Sequence, residues 1–335
     1  MEQSENYHDN NSGLPFESRL KVQELNHLAY RIRNELSKVI VGQERVLDLL
    51  LTALLANGHV LIEGVPGVAK TLIAKLLSKC IDTGFSRIQF TPDLMPSDVL
   101  GTTVFNSSNA SFEFRPGPVF SNMILIDEVN RAPAKTQSAL FELMEERQVT
   151  IDGTTRLMAA PFMVLATQNP VEHEGTYRLP EAQLDRFLFK INIDYPSLEQ
   201  EITMLHNAGL RGGAKEIDQV GAVVKESEIL EFQELVHHVL VDPQLIRYIA
   251  TIVEKTRNHS SLYLGASPRA SLWILKAAKA FAALEGRDFV TPEDIQEVLF
   301  PVLIHRVILS PEKEMEGVRP QAVIRQIVDS VEVPR

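Results

Sequence analysis

The sequence predicts an α/β domain, a parallel sheet between helices with one β-hairpin insert, followed by an all-α domain. Short apolar runs alternate with helix-period segments as far as Pro196, which is typical of parallel βαβ units. Two strand-like runs flank one five-residue turn, as in a hairpin. Beyond Pro196 only helix-period segments follow. We therefore expect a flexible tail over 1–18, an α/β domain over 19–196 and a helical domain over 197–335.

The elements of this fold follow in order along the chain. Two amphipathic helices come first, and the apolar run 59–63 then reads as a buried strand. In the first domain we expect further strands at 87–90, 123–126, 162–166 and 187–193, a hairpin at 102–105 and 111–114, and helices at 70–79, 135–146 and 181–185. In the second domain we expect helices at 198–208, 227–238, 243–257, 271–284 and 292–303.

Composition limits the class of protein. The 335 residues are 44% hydrophobic and 23% charged, as in ordinary globular proteins. The formal charge of −11 argues against broad binding to nucleic acids or anionic membranes, which need basic patches. Cys80 is the only cysteine, which excludes an intrachain disulfide. Without a signal peptide or a stretch of 18 apolar residues, we expect a cytoplasmic protein.

A phosphate-binding loop is predicted where the first strand ends and a helix begins. The segment from Gly64 to Thr71 matches the pattern G-x-x-x-x-G-K-[ST], except that Ala69 replaces the second glycine. Backbone N–H groups at a helix start can bind phosphate, Lys70 would reach the β- and γ-phosphates, and Thr71 would bind Mg²⁺. A simple turn between strand and helix is the alternative. The expected nucleotide-binding residues are Gly64, Val65, Pro66, Gly67, Val68, Ala69, Lys70, Thr71 and Leu72.

Two consecutive carboxylates follow a second apolar strand. Asp127 and Glu128 come directly after the run 123–126. Asp127 can bind Mg²⁺ through water, and Glu128 can polarise the attacking water as a catalytic base. Alternatively the pair only begins a loop. Together with the phosphate loop, however, it predicts an ATP or GTP site.

At this point the chain resembles the AAA+ ATPases, and among them the MoxR family, over about residues 20–305. Alanine before the loop lysine is typical of MoxR-like sequences. The segments that carry the resemblance are IVGQ (40–43), GVPGVAKT (64–71), FRPGP (114–118), ILIDEVNRAP (124–133), QSALFELMEERQVTIDG (137–153), ATQNP (166–170) and LPEAQLDRF (179–187).

The resemblance implies roles for residues that the sequence alone leaves open. Val41 and Gly42 would lie against the adenine. Asn169 looks like the sensor-1 residue, which holds the catalytic water or the γ-phosphate, although before Pro170 it also suits a turn. Arg186 matches the arginine finger, which acts in trans on the neighbouring subunit's γ-phosphate. A surface ion pair is the alternative for Arg186.

Two further arginines and the hairpin are interpreted in the same way. Arg269 looks like sensor 2, contacting phosphate from the second domain. An arginine in a first helical turn is the alternative, although the helix dipole disfavours a cation there. Arg131 is expected to face the nucleotide interface. The hairpin at 102–114 resembles the family's helix-2 insert, which lines the central pore or faces the client.

The function implied is that of a Mg²⁺-dependent ATP hydrolase in a homo-oligomeric ring of six. Hydrolysis would alter the angle of the helical lid and remodel, activate or assemble a client protein complex, with a von Willebrand factor A domain protein as a possible partner. The alternatives are a magnesium-chelatase-like motor subunit and an MCM-like nucleic-acid motor. The acidic charge argues against the nucleic-acid motor.

Overall fold

A five-stranded parallel sheet lies at the centre of the computed structural model. Residues 21–65, 67–169, 179–210 and 215–334 are described, so the predicted tail lies outside them. The strands are β1 (Val60–Gly64), β2 (Phe85–Gln89), β3 (Gly101–Asn106), β4 (Ser111–Pro116), β5 (Met123–Asp127), β6 (Gln148–Ile151), β7 (Thr154–Leu157), β8 (Met163–Gln168), β9 (Phe189–Ile193), β10 (Leu262–Leu264) and β11 (Ile308–Leu309).

Helices surround the sheet and form the rest of the chain. They are α1 (Val22–Leu36), α2 (Glu44–Leu55), α3 (Lys70–Cys80), α4 (Pro96–Leu100), α5 (Ala134–Glu146), α6 (Glu181–Leu184), α7 (Leu198–Leu210), α8 (Glu226–His237), α9 (Pro243–Arg257), α10 (Pro268–Leu284), α11 (Pro292–Leu303), α12 (Pro311–Met315) and α13 (Pro320–Asp329). The predicted bounds of α9 and α11 are met at both ends. Each of these two helices has proline in its first turn, and Asp242 caps α9 through the Gln244 N–H.

The strand order β2-β5-β8-β1-β9 brings three predicted motifs to one edge of the sheet. Glu63 of β1 pairs with Gln168 of β8, and Ile126 of β5 pairs with Ala166 of β8. Because these strands are parallel, the phosphate loop, the carboxylate pair and Asn169 all follow carboxyl ends at the same edge. This is where open α/β sheets bind ligands.

The described residues include two hairpins beside the sheet, β3–β4 and β6–β7, of which the first was predicted. In β3–β4, Phe105 pairs with Phe112, and the two exposed rings meet edge to face with centroids 5.2 Å apart. The second hairpin, β6–β7, turns at Asp152 and Gly153, whose φ angles are 50° and 74°. An Asp-Gly pair between two strand-like runs is a hairpin signal, so this omission was avoidable.

Strands do not cease entirely beyond Pro196, contrary to expectation. β10 and β11 form a two-stranded antiparallel sheet in which Leu262 pairs with Leu309. Strands of three and two residues are too short to produce a recognisable period in the sequence. The other elements of the described residues in this region are helices, as predicted, and α12 and α13 lie beyond the last helix whose bounds were predicted.

The hydrophobic core does not divide at Pro196. One cluster of buried side chains runs from α1 and α2, across β1 and α3, into α8 to α11. Leu50, Ile62 and Ile274 are all fully buried within it. A second cluster, which includes Phe141 and Phe187, covers the other face of the sheet. The C-terminal helices and the sheet therefore share one core.

A buried histidine joins three elements at the amino end of β1. His59 donates from Nε2 to the Met144 carbonyl at 3.1 Å, and its Nδ1 accepts from the Val164 N–H at 3.0 Å. Burial, with the nearby Arg147 cation second, lowers the pKa of His59 from 6.5 to about 3. The neutral ring thus satisfies both hydrogen bonds.

This arrangement predicts that acid destabilises the fold. Between pH 6.5 and pH 3 the unfolded chain binds a proton at His59 that the folded chain does not, so stability is complete above pH 6.5 and falls below it. From pH 7.5 to pH 5.0 we expect a loss of about 2 kcal/mol from this group. Burial lowers the pKa of His305 as well, so this histidine adds to the loss of stability in acid.

Urea unfolding at the two pH values measures the effect. His59→Gln keeps one donor and one acceptor but does not titrate. It should therefore reduce the difference between the two pH values by about 2 kcal/mol. An unchanged difference would show that His59 is already charged in the folded chain.

Candidate functional site

A cavity of about 630 Å³ opens beside the phosphate loop. Its apolar lining includes Val39, Ile40 and Val41, and loop residues 67 and 69–72 line it as well. Helix α7 contributes Met204 and Leu205, among others. A cavity with an apolar lining beside a phosphate-binding loop suits a nucleotide, which has a flat base at one end and charge at the other.

Two of the described residues in the phosphate loop have positive φ angles. Ala69 has φ 61° and ψ 20°, and Gly67 has φ 90°. The glycine of the standard pattern adopts the left-handed region freely, whereas alanine there costs about 1 kcal/mol. Lys70 donates from Nζ to the Gly64 carbonyl at 2.7 Å, across the mouth of the loop. Val41, Gly67, Ala69, Lys70, Thr71 and Leu72 are the predicted binding residues that line this cavity.

Other predicted loop residues support the cavity without lining it. Gly64 and Val65 border a smaller cavity beside β9. Val68 is buried in the core under the loop. Pro66 lies outside the described residues. The sequence pattern thus covers both the residues that face the cavity and those that shape the loop.

Gly42 lies behind the cavity wall instead of in it. Its φ is 74°, and its carbonyl accepts from Gln200 Nε2 at 3.3 Å. A Cβ at this position would lie 2.1 Å from the Gln200 side chain. Gly42 therefore allows the turn and the close approach of α7, while its neighbours Val41 and Gln43 line the cavity.

The two carboxylates are organised by a threonine that sequence reasoning missed. Asp127 is 7% exposed, and it accepts from Arg87 Nε at 2.5 Å and from Thr167 Oγ1 at 3.2 Å. The same threonine hydroxyl accepts from the Glu128 N–H at 3.1 Å. Thr167, at the end of β8, thus holds both acidic residues at the sheet edge.

Glu128 has side-chain partners that differ from those of Asp127. Its Oε2 accepts from Gln89 Nε2 at 2.7 Å and lies 3.2 Å from Arg131 Nε. Its φ of 57° is unusual for a residue other than glycine. Such strained backbone is often found at functional sites. Arg131 therefore contacts the predicted catalytic carboxylate.

Asn169 lies where the resemblance placed it. It follows β8 directly, is buried, and stands between the ends of β1 and β5 because β8 separates those strands. The phosphate loop, Asp127, Glu128 and Asn169 thus occupy one edge of the sheet.

Arg186 and Arg269 lie together in a different place. Both line a cavity of about 310 Å³ that also contains Asn57 and His59, at the amino end of β1. Arg269 donates from Nη2 to Glu145 Oε1 at 2.7 Å. A five-residue strand is about 16 Å long, so β1 separates this cavity from the phosphate loop of the same chain. The expectation that Arg269 reaches phosphate from the second domain is thus not met within one chain.

Among the described residues, no helix combines the length and the apolar character needed to cross a bilayer.

Comparison with known proteins places this geometry in context. Residues 59–189 match the model of the ATPase family associated with various cellular activities (AAA), and residues 254–327 match the AAA lid domain. The chain is 45% identical to Chaperone MoxR1 of Mycobacterium tuberculosis, over 92% of this chain and 83% of that protein. It is 47% identical to the uncharacterized protein YeaC of Bacillus subtilis, over 93% of this chain and 97% of that protein.

The fold has a solved counterpart. A crystal structure of a candidate ATPase from Cytophaga hutchinsonii superimposes with a TM-score of 0.87 at 43% sequence identity. The match covers 94% of this chain and 97% of that one. The α/β domain and the helical lid that follows it are thus shared along nearly the whole length of both chains.

Proposed function

Because the chain belongs to the MoxR family of AAA+ ATPases, we propose that it hydrolyses ATP with Mg²⁺ in a homo-oligomeric ring, six subunits by analogy with the family, and thereby remodels a client protein. The observation that carries the proposal is the cavity between the apolar 39–41 wall and the phosphate loop. Lys70, Asp127, Glu128 and Asn169 converge on the same sheet edge.

The base is proposed to be adenine. Val39, Ile40 and Val41 line the cavity with apolar side chains that suit a flat purine base. Membership of the chain in the MoxR family of AAA+ ATPases supports ATP over GTP.

The metal and the catalytic water have matching side chains. The Thr71 hydroxyl and the Asp127 carboxylate are hard oxygen donors of the kind that Mg²⁺ prefers. A Mg²⁺ ion held by these two side chains would supply positive charge next to the phosphates of the nucleotide. Glu128 is proposed to accept the proton of the attacking water, and Asn169 to orient that water or the γ-phosphate with its amide.

The positive charges at the other edge are proposed to serve a neighbouring subunit. Arg186 and Arg269 line a cavity about one strand length from their own phosphate loop. A neighbour that places its phosphate-loop edge against this cavity would receive both cations, which stabilise charge on the transferring phosphoryl group. Catalysis then requires assembly.

The remaining assignments concern domains and client. We propose an ATPase domain over 19–196 and a lid over 197–335, joined by the shared core.

The proposed client-facing surface is the pair Phe105 and Phe112 at the tip of the β3–β4 hairpin. Their side chains are 57% and 75% exposed. A von Willebrand factor A domain protein is the proposed partner class.

Replacing Lys70 with alanine tests the nucleotide site. Removing a charge-assisted contact to phosphate costs about 1.5–3 kcal/mol, so ATP affinity should fall by about 10- to 100-fold. Titration with ATP-Mg²⁺ in a calorimeter measures the affinity, and phosphate release measures turnover with ATP and GTP. Lys75→Ala, an exposed lysine on the same helix, is the matched control. Equal affinity in both variants would contradict the proposed site.

A further inference from the structure

Arg306, a buried arginine of the C-terminal helical region, forms hydrogen bonds to the segment 185–188, which contains Arg186. Arg306 is 6% exposed and follows α11. A guanidinium has five N–H donors. Arg306 donates to Asp185 Oδ1 at 2.7 Å, the Asp185 carbonyl at 2.9 Å, the Phe187 carbonyl at 2.5 Å, the Leu188 carbonyl at 3.2 Å and the Val302 carbonyl at 2.5 Å. Four of these five acceptors belong to residues 185–188.

The hydrogen bonds from Arg306 hold the main chain on both sides of Arg186. The carbonyls of Asp185 and Phe187 point to the same guanidinium, so Arg186 lies between two anchored peptide groups. The Phe187 ring is fully buried against Phe141 and fixes the following side chain as well. The backbone from which the Arg186 side chain leaves is therefore held by Arg306 on both sides.

The same carboxylate also reaches the start of α10. Asp185 Oδ2 accepts from Ser267 Oγ at 2.9 Å, while its Oδ1 accepts from Arg306. Ser267 is the residue before α10, and Arg269 lies in the first turn of that helix. Arg306, Asp185 and Ser267 thus form a chain of side chains that ties the Arg186 segment to the helix carrying Arg269.

His305 and Asp185 both contact the buried guanidinium of Arg306. The buried ring of His305 is adjacent, and burial together with the Arg306 cation lowers the pKa of that histidine. Burial lowers the pKa of Arg306 to about 10, and Asp185 opposes this shift. Arg306 is therefore still a cation at neutral pH. A lysine has only three donors without a planar array, and so could not reproduce these bonds.

We propose that Arg306 is a positioning residue for Arg186. Through Asp185 and Ser267 it also fixes the relative positions of Arg186 and Arg269, so that both can reach the γ-phosphate bound by the neighbouring subunit. This inference rests on the proposed function, in which Arg186 acts in trans. A misplacement of about 1 Å in a catalytic group can cost about 100-fold in rate.

The first test compares hydrolysis with binding. Arg306→Met should lower kcat by about 100-fold while leaving ATP affinity within about twofold, because the chain's own nucleotide cavity lies at the other sheet edge. Arg306→Lys should fall between that variant and the unmodified protein. Ser267→Ala removes only the hydrogen bond from Ser267 to Asp185 and should lower kcat by a few fold. Arg319→Met, an exposed arginine before α13, is the matched control.

Mixing two inactive variants separates positioning from a general defect. Lys70→Ala subunits keep Arg306 and Arg186, and Arg306→Met subunits keep the phosphate loop. In a random mixed ring about one interface in four combines the two intact halves, so activity should reappear on mixing. An unfolded or locally collapsed subunit could not contribute its phosphate loop to such an interface.

Arg186→Ala mixed with Lys70→Ala is the reference for this test. If that mixture recovers activity and the Arg306→Met mixture does not, Arg306 is a structural residue and the inference is wrong. Full activity of Arg306→Met alone would also overturn it. If Arg186→Ala keeps full activity, or its mixture with Lys70→Ala does not recover, the trans assignment itself fails, and the inference fails with it.

Discussion

Replacing Glu128 with glutamine is expected to lower kcat for ATP hydrolysis by about 100-fold or more, while ATP binding is kept. General-base catalysis contributes about 10²- to 10⁴-fold, and an amide cannot accept the proton of the attacking water. The amide has nearly the same shape as the carboxylate, so the contact with Gln89 can be kept. Phosphate release under saturating ATP-Mg²⁺ measures the loss, and calorimetric titration measures the affinity.

The same variant should trap the assembled state. With hydrolysis blocked, light scattering should give a mass that rises in ATP-Mg²⁺ and not in ADP. Glu231→Gln, at an exposed position on α8, removes the same charge away from the site and serves as the control. Retained turnover in the Glu128 variant would remove this residue from catalysis, and a monomeric mass under all conditions would count against the ring.

Replacing Arg186 with alanine is expected to lower kcat by about 10³-fold, which is the lower end of the effect of arginine fingers. The reason is electrostatic, since the cation stabilises charge that develops on the transferring phosphoryl group. ATP affinity measured with dilute protein should not change, because Arg186 lies at the opposite sheet edge from its own phosphate loop. In Lys70→Ala, by contrast, the ATP affinity should fall.

Arg186→Lys refines this result. It keeps a charge but loses the planar donor array, and it should recover only part of the rate. Arg319→Ala should behave as the unmodified protein does. A loss of ATP affinity in Arg186→Ala equal to that in Lys70→Ala would place the arginine in its own nucleotide site and contradict the trans arrangement.

The parts of the site that sequence reasoning found are contiguous in the chain. The loop before Thr71 and the acidic pair after the β5 strand each carry their chemistry within a few residues, and a parallel sheet brings strand ends together. Their convergence could thus be inferred before any coordinates. The hairpin formed by β3 and β4 was predicted in the same way, from two local runs and a turn.

The parts of the site that could not be predicted from the sequence depend on which strands are neighbours in the sheet. Arg87, Gln89 and Thr167 lie on β2 and β8, and they contact the acidic pair only because β5 stands between those two strands. The order of strands in a sheet cannot be read from periodicity. Likewise, the place of Arg269 depends on how the C-terminal helices pack against the sheet, which no local pattern specifies.

The shared hydrophobic core has a mechanical consequence. The family resemblance implies that hydrolysis changes the angle of the lid, yet Ile274 of α10 and Leu50 of α2 belong to the same buried cluster as Ile62 of the sheet. A hinge at this position would expose that cluster at about 25 cal/mol for each Å² of apolar surface. We therefore expect the described residues to move as one unit. In the proposed ring, the flexible joint would then lie between subunits, where Arg186 and Arg269 of one subunit would meet the nucleotide of the next.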